Sequence, residues 1–500
     1  MNLKNLSKPN DFWEYLEAIL KIPRCTKNEE HIRTFIKNEC ESLGYNTKID
    51  NVGNLLAFPV SERKNNSKIV IFQSHMDMVC EKNKEITHDF SKDPINVETI
   101  EKEDEKWLTA KGTTLGADNG VGIAYSLALL STISKQQSNS DFPIVKFLFT
   151  VEEERGLTGA FKIESDFLEG DYLINLDSEE DDTFTIGCAG GTRTHGKIPL
   201  NYIYINKISH KMVPIHLSIQ GLKGGHSGTD IHKGRANSIK MISKILWKIN
   251  YQYQIYIYSL KGGNLPNAIP REAEATFYVA EEDLTNILDL LEQIKSEIEF
   301  GISEIEPDMM IKFNKVETET DIKVYSKIIT DDLLHILYVM PNGPVSYHPK
   351  NRDLVYTSTN LASISIDSDI LTIVTSQRSL HEISRKIIQE KVEALFRLSD
   401  LDIEIEKVGD YPGWIPNFES ELLKIAKESY STAFSQTPHI QTIHAGLETG
   451  ILKEKVPNME MISLGPTIIH PHSPDEMLRI KSIEKIWTLL IQLLKNINNN

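Results

Sequence analysis

The sequence predicts an α/β protein in which a mainly parallel sheet is flanked by helices and a smaller α+β domain is inserted. Four short, almost continuously apolar runs occupy residues 69–72, 144–150, 172–176 and 459–464. Between about residues 191 and 398 the pattern changes to alternating strands. The 500 residues, 40% of them hydrophobic, also suffice for two domains, because single cores seldom grow beyond about 250–300 residues.

The first part of the larger domain covers residues 1–190. Its first clear element is a helix, because apolar residues recur at a spacing near 3.6: Ile32, Phe35, Ile36, Cys40 and Leu43. Three of the four apolar runs follow this helix. Runs of this length and composition are typical of strands covered on both faces, as in a parallel sheet between layers of helices.

The smaller α+β domain is predicted for residues 191–398. Alternating patterns in VPIHLSIQG and EATFYVA predict strands, and the amphipathic segment at residues 284–291 predicts a helix after them. A similar order returns in NLASISIDSDILTIVTS, which predicts two paired strands, and in the helical pattern LHEISRKIIQEKVEALFRL. Residues 399–500 then complete the larger domain with further helices and the fourth apolar run.

The charge balance is acidic, with 71 Asp and Glu against 54 Lys and Arg and a net charge of −17. This excess opposes non-specific attraction to nucleic acid and to anionic membranes. The start of the sequence lacks the basic and apolar regions of a secretory signal. No apolar run approaches the roughly 18–20 residues that span a bilayer. We therefore expect a cytoplasmic protein with neither a nucleic-acid nor a membrane partner.

The four cysteines are scattered without the C-x-x-C spacing of zinc ribbons or redox pairs: Cys25, Cys40, Cys80 and Cys188. We expect reduced thiols that mostly act as small buried hydrophobic residues.

Polar residues follow each of the four apolar runs. Ligands of open α/β sheets bind outside the carboxyl ends of the strands, so these residues are candidates for one site. A further acidic residue lies in the glycine-rich turn of AKGTTLGADNGVGIAYSLALL, which opens a helix. In chain order the candidates are His75, Asp77, Asp118, Glu152, Glu153, Glu154, Asp177, His470 and His472.

Histidine nitrogen and carboxylate oxygen without cysteine are the ligand set of catalytic zinc and related divalent ions. Two imidazoles and three carboxylates suffice for two metals if one carboxylate bridges them, and a further carboxylate can then act as general base. Each element alone also has a structural interpretation: polar residues that end a strand, a solvated glutamate run, or an aspartate that caps a helix. Their joint placement at strand ends favours a metal site.

The order of these residues and the motifs around them resemble the aminoacyl-histidine dipeptidases. These belong to the co-catalytic di-zinc family that includes aminoacylases, carnosinases and glutamate carboxypeptidases. The resemblance runs nearly end to end. It is carried by SHMDMVCEKN, AKGTTLGADNGVGIA, FTVEEERGLTGAF, INLDSEE, GCAGG, GLKGGHSGTDIHKGRANS, NAIPREA, IHAGLETG and GPTIIHPHSPDE. It implies a di-zinc exopeptidase-like fold with the inserted domain as a lid.

The resemblance implies two divalent metal ions, expected to be zinc, with manganese or cobalt as alternatives. Two residues would bind each ion and one would bridge them. The ligands are His75 and Asp177 for one metal, Glu154 and His472 for the other, and Asp118 as the bridge.

Two further roles follow from the resemblance. Asp77 would orient the ring of His75, and Glu153 would take a proton from the bridging water and pass it to the leaving amine. The spacing Glu-Glu-x-Gly selects Glu153 and Glu154 over Glu152, although Arg155 stands where the family usually has a small residue. The His-Ser-Pro-Asp-Glu match selects His472 over His470.

The resemblance assigns the inserted domain, residues 191–398, to substrate closure and dimerisation. His226 and Asn267 match positions that hold the substrate carbonyl or carboxylate, and Arg271 is a candidate carboxylate clamp. Alternatively, GGHSG is only a turn with an exposed histidine and Arg271 is an ordinary surface charge. The motif IHAGLETG would place His444 and Gly446 beside the substrate. Cys188 is expected to be a buried turn residue, because a di-metal hydrolase attacks with water.

The implied activity is metal-dependent hydrolysis of unblocked dipeptides, with Xaa-His preferred. One alternative is another amide hydrolysis on the same metal core, such as deacylation of N-acyl amino acids or cleavage of longer peptides. A second is a non-catalytic binding protein of this fold. The expected partners are a small peptide substrate and a second copy of the chain, bound through the lid domain.

Overall fold

The computed structural model describes residues 3–60, 67–135, 142–317, 322–349 and 351–499. The chain forms two compact units. Unit 1 comprises Met1–Cys188, Trp414–Thr442 and Leu447–Asn500, and unit 2 comprises Ala189–Gly413 and Ile443–Gly446.

The first part of unit 1 alternates strands and helices. Its strands are β1 (Tyr45–Ile49), β2 (Leu55–Pro59), β3 (Ile69–His75), β4 (Val97–Lys102), β5 (Glu105–Ala110), β6 (Ile144–Thr150), β7 (Tyr172–Asn175) and β8 (Thr183–Cys188). Its helices are α1 (Asn10–Ile19), α2 (Glu30–Ser42), α3 (Ala117–Lys135) and α4 (Thr158–Lys162).

Unit 2 contains the next thirteen strands and four helices of the described chain. The strands are β9 (Gly190–Pro199), β10 (Tyr202–Tyr204), β11 (Met212–Gln220), β12 (Gly225–His226), β13 (Tyr256–Gly262), β14 (Ala268–Ile269), β15 (Ala273–Ala280), β16 (Met310–Lys315), β17 (Lys323–Tyr325), β18 (Gly343–Tyr347), β19 (Val355–Asp367), β20 (Ile370–Ser379) and β21 (Glu404–Tyr411). The helices are α5 (Ser238–Gln252), α6 (Leu284–Ile302), α7 (Lys327–Val339) and α8 (Glu382–Arg397).

The last part of the chain completes unit 1. Its strands are β22 (His439–Ile443), β23 (Glu460–Ser463), β24 (Ile468–Ile469) and β25 (Met477–Arg479). Its helices are α9 (Glu421–Phe434), α10 (Glu448–Lys455) and α11 (Ile480–Asn499).

The main sheet of unit 1 has the strand order β1-β2-β6-β3-β7-β23-β8-β22. Its four central strands, β6, β3, β7 and β23, run parallel, and they are the four apolar runs of the sequence. Antiparallel strands flank this centre. From Val70 to His75 every residue of β3 is buried, as expected for a strand covered on both faces. The predicted α/β fold class is therefore confirmed, with the parallel pairing in the centre of the sheet.

The helices of unit 1 bury apolar stripes in one core with the sheet. In α1 the buried residues are Phe12, Trp13, Leu16 and Ile19, which recur at helical spacing. The N-terminal half of α3 is buried on nearly all sides. A four-stranded sheet of order β24-β25-β5-β4 joins the end of the chain to an early hairpin. No described helix is long and apolar enough to cross a membrane.

Unit 2 is built on a nine-stranded sheet of order β16-β11-β15-β13-β19-β20-β9-β21, with β18 paired to β19. Its core is separate from that of unit 1. The sequence placed the return to the larger domain at residue 399. In the structure β21 still pairs with β9, and unit 2 extends to Gly413. Ile443–Gly446 also belongs to unit 2, because the Ala189 N–H donates to the carbonyls of Ile443 and Ala445.

The expectation of four reduced thiols is wrong for Cys25 and Cys80, which form a disulfide with their Cα atoms 5.7 Å apart. The Met78 N–H donates to the Arg24 carbonyl at 3.1 Å, and this pairing brings the two segments side by side. The bonded cysteines are 55 residues apart in the chain, so local spacing gave no sign of them. Cys40 and Cys188 are buried free thiols.

Reduction of this disulfide should destabilise the protein. Opening a cross-link between distant segments typically costs about 2–4 kcal/mol of unfolding free energy. Urea denaturation with and without dithiothreitol measures the difference. The variant Cys80→Ser is the control and should show no response to the reductant. Equal stability of the oxidised and reduced wild-type protein would contradict the prediction.

Candidate metal centre

Five of the predicted site residues of unit 1 lie at or just beyond the carboxyl ends of its parallel strands. His75 is the last residue of β3, and Asp77 follows two residues later. Glu153 and Glu154 follow β6, and Asp177 follows β7. Because β3 pairs in parallel with β6 and with β7, these ends meet at one edge of the sheet.

The remaining two predicted ligands come from loops. Asp118 lies at the start of α3, where the backbone of Asp118 and Asn119 is non-helical and the peptide bond between them is cis. His472 lies in the loop between β24 and β25. The structure thus gathers all five predicted ligands from segments distributed over the length of unit 1.

Asp118 faces both histidines. One carboxylate oxygen, Oδ1, lies 3.1 Å from Nε2 of His75, and the other, Oδ2, lies 2.9 Å from Nε2 of His472. His75 Nε2 is also 3.4 Å from Asp177 Oδ1, and His472 Nε2 is 3.1 Å from Glu154 Oε2. One carboxylate with an oxygen toward each of two histidine–carboxylate pairs is the arrangement required of a bridging ligand.

Potential ligand atoms approach within 4.8 Å of one another in three groups. The groups are His75 with Asp118 and Asp177, Asp118 with Glu154 and His472, and His75 with Glu153 and Glu154. Glu154 Oε1 is buried and has no hydrogen-bond partner in the described residues. This unpaired oxygen and the all-nitrogen-and-oxygen donor set fit divalent metal ions.

Asp77 connects the histidine to the glutamate loop. Its main-chain carbonyl lies 3.1 Å and its Oδ1 3.5 Å from Nδ1 of His75, and Oδ1 also accepts the N–H of Glu153 at 3.0 Å. Its Oδ2 accepts the N–H of Glu154 at 3.2 Å and the hydroxyl of Thr26 at 2.9 Å. Burial opposes its ionisation, but these contacts, led by that with His75, lower the pKa of Asp77 below its usual range. Asp77 therefore holds the backbone of Glu153 and Glu154, and its carbonyl and carboxylate both face the ring of His75, a predicted ligand.

The predicted ligand residues strongly shift one another's pKa values. Burial alone would lower the pKa of both histidines, but neighbouring carboxylates reverse this effect. Asp177 and Asp118 raise the pKa of His75 well above its ordinary value, and Asp118 and Glu154 raise the pKa of His472 to about 11. The two histidines in turn lower the pKa of Asp118 despite its burial.

The glutamates behave differently from Asp118. Burial, reinforced by the charge of Glu154, raises the pKa of Glu153 well above its ordinary value. Burial also raises the pKa values of Glu154 and Asp177, to which the charge of Asp118 adds. Glu153 is therefore a carboxyl group suited to accepting a proton.

Three residues that the sequence left open lie outside these metal groups. The Glu152 N–H donates to Glu29 Oε1 at 3.1 Å, and the side chain of Arg155 is exposed. His470 is exposed as well. Cys188 is fully buried, which raises the pKa of its thiol to about 11, in keeping with a buried structural cysteine rather than a nucleophile.

His226 and His444 lie close together in unit 2, on either side of Gly228. A Cβ atom added to Gly228 would lie 3.1 Å from the His226 ring and 2.1 Å from the His444 carbonyl oxygen. His226 Nδ1 accepts N–H groups from Gly228 at 3.3 Å and Thr229 at 3.1 Å. Burial and Arg378 lower the pKa of His226 to about 4 and that of His444 to about 3. Both rings are thus neutral near pH 7, and His226 has Nε2–H as its remaining donor.

Arg378, which sequence reasoning missed, is the positive charge beside these histidines. It is 7% exposed and donates to the hydroxyl of Tyr411 at 2.7 Å. Its Nε is buried without a partner, and it forms no ion pair with a carboxylate in the described residues. Gly446 packs against the same Tyr411, because a Cβ atom added to Gly446 would lie 2.7 Å from the Tyr411 ring. The only sequence signal was an arginine near the end of the strand ILTIVTSQRS.

The other two predicted substrate contacts are exposed. Asn267 accepts the Ser227 N–H at its carbonyl at 2.8 Å, next to His226. Arg271 donates through Nε to the Leu222 carbonyl at 3.0 Å. Their roles remain predictions.

Residues 71–496 match the model of peptidase family M20/M25/M40. The chain is 34% identical over 490 residues to the cytosol non-specific dipeptidase of Escherichia coli strain K12, covering 98% of each chain. The crystal structure of aminoacylhistidine dipeptidase from Vibrio alginolyticus is similar, with a TM-score of 0.84 and 34% sequence identity. The match covers 97% of this chain and 96% of the Vibrio chain. Human carnosine dipeptidase 1 shares the fold at 13% identity and a TM-score of 0.52, with 98% coverage of both chains.

Metal binding at this site should release protons and weaken as the pH falls. Because nearby carboxylates raise the pKa values of His75 and His472, both rings hold a proton more firmly than a free imidazole, whereas ligation requires neutral imidazole. Titration calorimetry with zinc in buffers of different ionisation enthalpy measures the protons released. A binding enthalpy independent of the buffer would contradict the prediction.

Proposed function

Because this chain belongs to peptidase family M20/M25/M40, we propose that it hydrolyses the peptide bond of unblocked dipeptides in a metal-dependent reaction, with Xaa-His preferred. The structural observation that supports this most is Asp118, which turns one oxygen to each of the two predicted ligand histidines. The dipeptidases of Escherichia coli and Vibrio alginolyticus, similar over nearly the whole chain, support the substrate class.

Unit 1 is proposed as the catalytic domain with two divalent ions, zinc being the expected metal. His75 and Asp177 would hold one ion, Glu154 and His472 the other, and Asp118 both. When bound, such ions polarise the scissile carbonyl and lower the pKa of water toward neutrality. Asp77 would keep the His75 ring oriented, because its main-chain carbonyl lies 3.1 Å and its carboxylate 3.5 Å from Nδ1.

Glu153 is proposed as the general base. Its N–H is held by Asp77, and burial raises the pKa of its carboxyl, so it accepts a proton more readily than an ordinary glutamate. The carboxylate accepts a proton from the attacking water and then donates it to the nitrogen of the leaving amine. Because the same side chain takes up the proton and gives it back, Glu153 would return to its starting state at the end of each turnover.

Unit 2 is proposed as the lid that binds the substrate carboxylate. Arg378 is the stronger candidate for this contact, because its guanidinium is buried, carries an unpaired Nε–H and faces no described carboxylate. Arg271 is the second candidate. The neutral His226 would donate its Nε2–H to the substrate carbonyl, and Asn267, His444 and Gly446 would line the same site.

The lid domain is also proposed to form a homodimer. Exposed apolar side chains on α5 and α7 support this proposal, including Tyr251 at 79% and Val339 at 63% exposure. Trp247 stacks on Tyr338 beside them, with ring centroids 4.4 Å apart. A cytoplasmic location is proposed as well, in line with the name of the Escherichia coli relative.

Purified protein should cleave alanyl-histidine, lose this activity with a chelator and regain it with zinc, manganese or cobalt. A panel of dipeptides, a tripeptide and N-acetylated amino acids separates the proposed function from its alternatives. Preferred cleavage of the N-acetylated compounds would indicate a deacylase. Metal-loaded protein without activity on any of these compounds would indicate a binding protein.

Glu153→Gln should bind metal as the wild type does but lose about 10²–10⁴-fold in kcat, because the amide cannot accept the proton. Metal stoichiometry and steady-state kinetics measure the two properties separately. Glu152→Gln is the matched control and should leave both unchanged, since Glu152 lies outside the metal groups. Full activity of the Glu153 variant would place the base elsewhere.

Arg378→Ala should reduce kcat/KM for dipeptides about 100-fold, since a buried charge contact is worth several kcal/mol. The loss should be small for a dipeptide with an amidated C-terminus, which has no carboxylate to bind. Arg271→Ala is the comparison, with a smaller effect expected at this exposed side chain. The opposite ranking of the two variants would make Arg271 the clamp.

A further inference from the structure

Glu476 makes an unusual set of contacts with the backbone that precedes Asp118. It is 1% exposed, and its Oε2 accepts the N–H groups of Leu115 and Gly116, each at 2.8 Å. Its Oε1 accepts the N–H of Asp118 at 3.2 Å. A single buried carboxylate thus satisfies three main-chain donors of one short loop. Glu476 stands four residues after His472, in a motif that the predicted function leaves without a role.

A buried cation holds the same loop from its carbonyl side. Arg24 is 2% exposed and donates to the carbonyls of Asp77 at 2.8 Å, Met76 at 3.1 Å and Gly116. Gly116 therefore donates its N–H to Glu476 and accepts a hydrogen bond from Arg24 at its carbonyl. A Cβ on Gly116 would lie 2.7 Å from the Arg24 guanidinium, so the loop is also closely packed.

The backbone at Asp118 needs such external support. Asp118 has φ −82° and ψ 110°, outside the helical region, so the hydrogen bonds of α3 do not set its position. A carboxyl side chain suits the three N–H donors, because its two oxygens can together accept all three hydrogen bonds.

We propose that Glu476 is a positioning residue for the metal centre. It fixes the backbone from which Asp118 turns one oxygen to His75 and the other to His472. Because Glu476 is in the same loop as His472, it also ties this ligand to the bridging carboxylate. Both ions would then be placed by one buried carboxylate that binds neither. This inference rests on the metal centre of the proposed function.

The substitution Glu476→Gln tests the role with little change in shape. The amide keeps one acceptor but turns an N–H₂ group toward main-chain donors. Metal affinity should fall about 10–100-fold, as for other residues that orient ligands. A chelating dye in competition with the protein measures the affinity for zinc. With Co²⁺ in place of zinc, the visible absorption spectrum should change, because the geometry of Asp118 differs.

Activity should separate positioning from a merely structural role. All ligands and Glu153 remain in Glu476→Gln, so saturating metal should restore kcat to near the wild-type value. Glu476→Asp, which keeps the charge on a shorter side chain, should lie between the two proteins in metal affinity. If Glu476→Gln does not fold without metal, the affinity and Co²⁺ spectrum of Glu476→Asp decide the question.

Glu460→Gln provides a matched control in the same unit. Glu460, the first residue of β23, accepts the N–H groups of Leu422 at 2.7 Å and Glu421 at 3.2 Å and the hydroxyl of Ser420 at 3.0 Å. The substitution removes comparable bonds at the end of the strand that is remote from the ligands. Its metal affinity should equal that of the wild type.

Three outcomes would overturn the inference. The first is a wild-type metal affinity in Glu476→Gln, or in Glu476→Asp if the Gln variant does not fold. The second is a loss of metal affinity in Glu460→Gln as large as that in Glu476→Gln. The third is a loss of kcat in Glu476→Gln that saturating metal does not restore. Wild-type protein that binds no metal would instead overturn the proposed function, because the direct binding measurement does not depend on peptidase activity.

Discussion

Repulsion among carboxylates is the constraint on which the centre of unit 1 depends. Asp118, Glu153, Glu154 and Asp177 converge with the two histidines at one end of the sheet. Two like charges about 4 Å apart repel by about 4 kcal/mol at the effective dielectric constant near a protein surface. Without compensation, such a cluster favours protonation, as the raised pKa values of the two glutamates and Asp177 indicate. Two divalent cations would supply four positive charges against these four carboxylates.

A second set of carboxylates supports the ligands by binding main-chain N–H groups. Asp77 accepts the amides of Glu153 and Glu154, and Glu476 accepts that of Asp118. Hydrogen bonds from the backbone stabilise the ionised forms and at the same time fix the chain from which the ligands project. The loops that carry the predicted ligands Asp118 and Glu154 are therefore held by carboxylates that are not themselves predicted ligands.

Unit 2 has the opposite electrostatic character at its predicted substrate residues. Arg378 is buried with no carboxylate partner in the described chain. Burial of the His226 and His444 rings, together with the charge of Arg378, keeps both histidines neutral. A buried cation without a counter-ion is costly unless an anion binds it. The carboxylate of a dipeptide is such an anion, and this complementarity is the physical basis for the proposed role of unit 2 as the substrate-binding lid.

The sequence by itself determined the α/β class and the four parallel strands, because continuous apolar runs are a local property of buried strands. Position after such strands also made His75 and Asp177 candidates, since the ends of parallel strands meet at one edge of the sheet. Asp118 came from a glycine-rich turn, and the resemblance to the dipeptidases selected Glu154 and His472 and implied the ligand roles. Only the tertiary structure decided their supports. Glu476 and Leu115 are 361 residues apart, and the bonded cysteines are 55 apart. The hydrogen bond from Arg378 to the Tyr411 hydroxyl likewise depends on how the chain packs. Such contacts leave no periodic signal, because a hydrogen bond or disulfide needs proximity in space and not regular spacing along the chain.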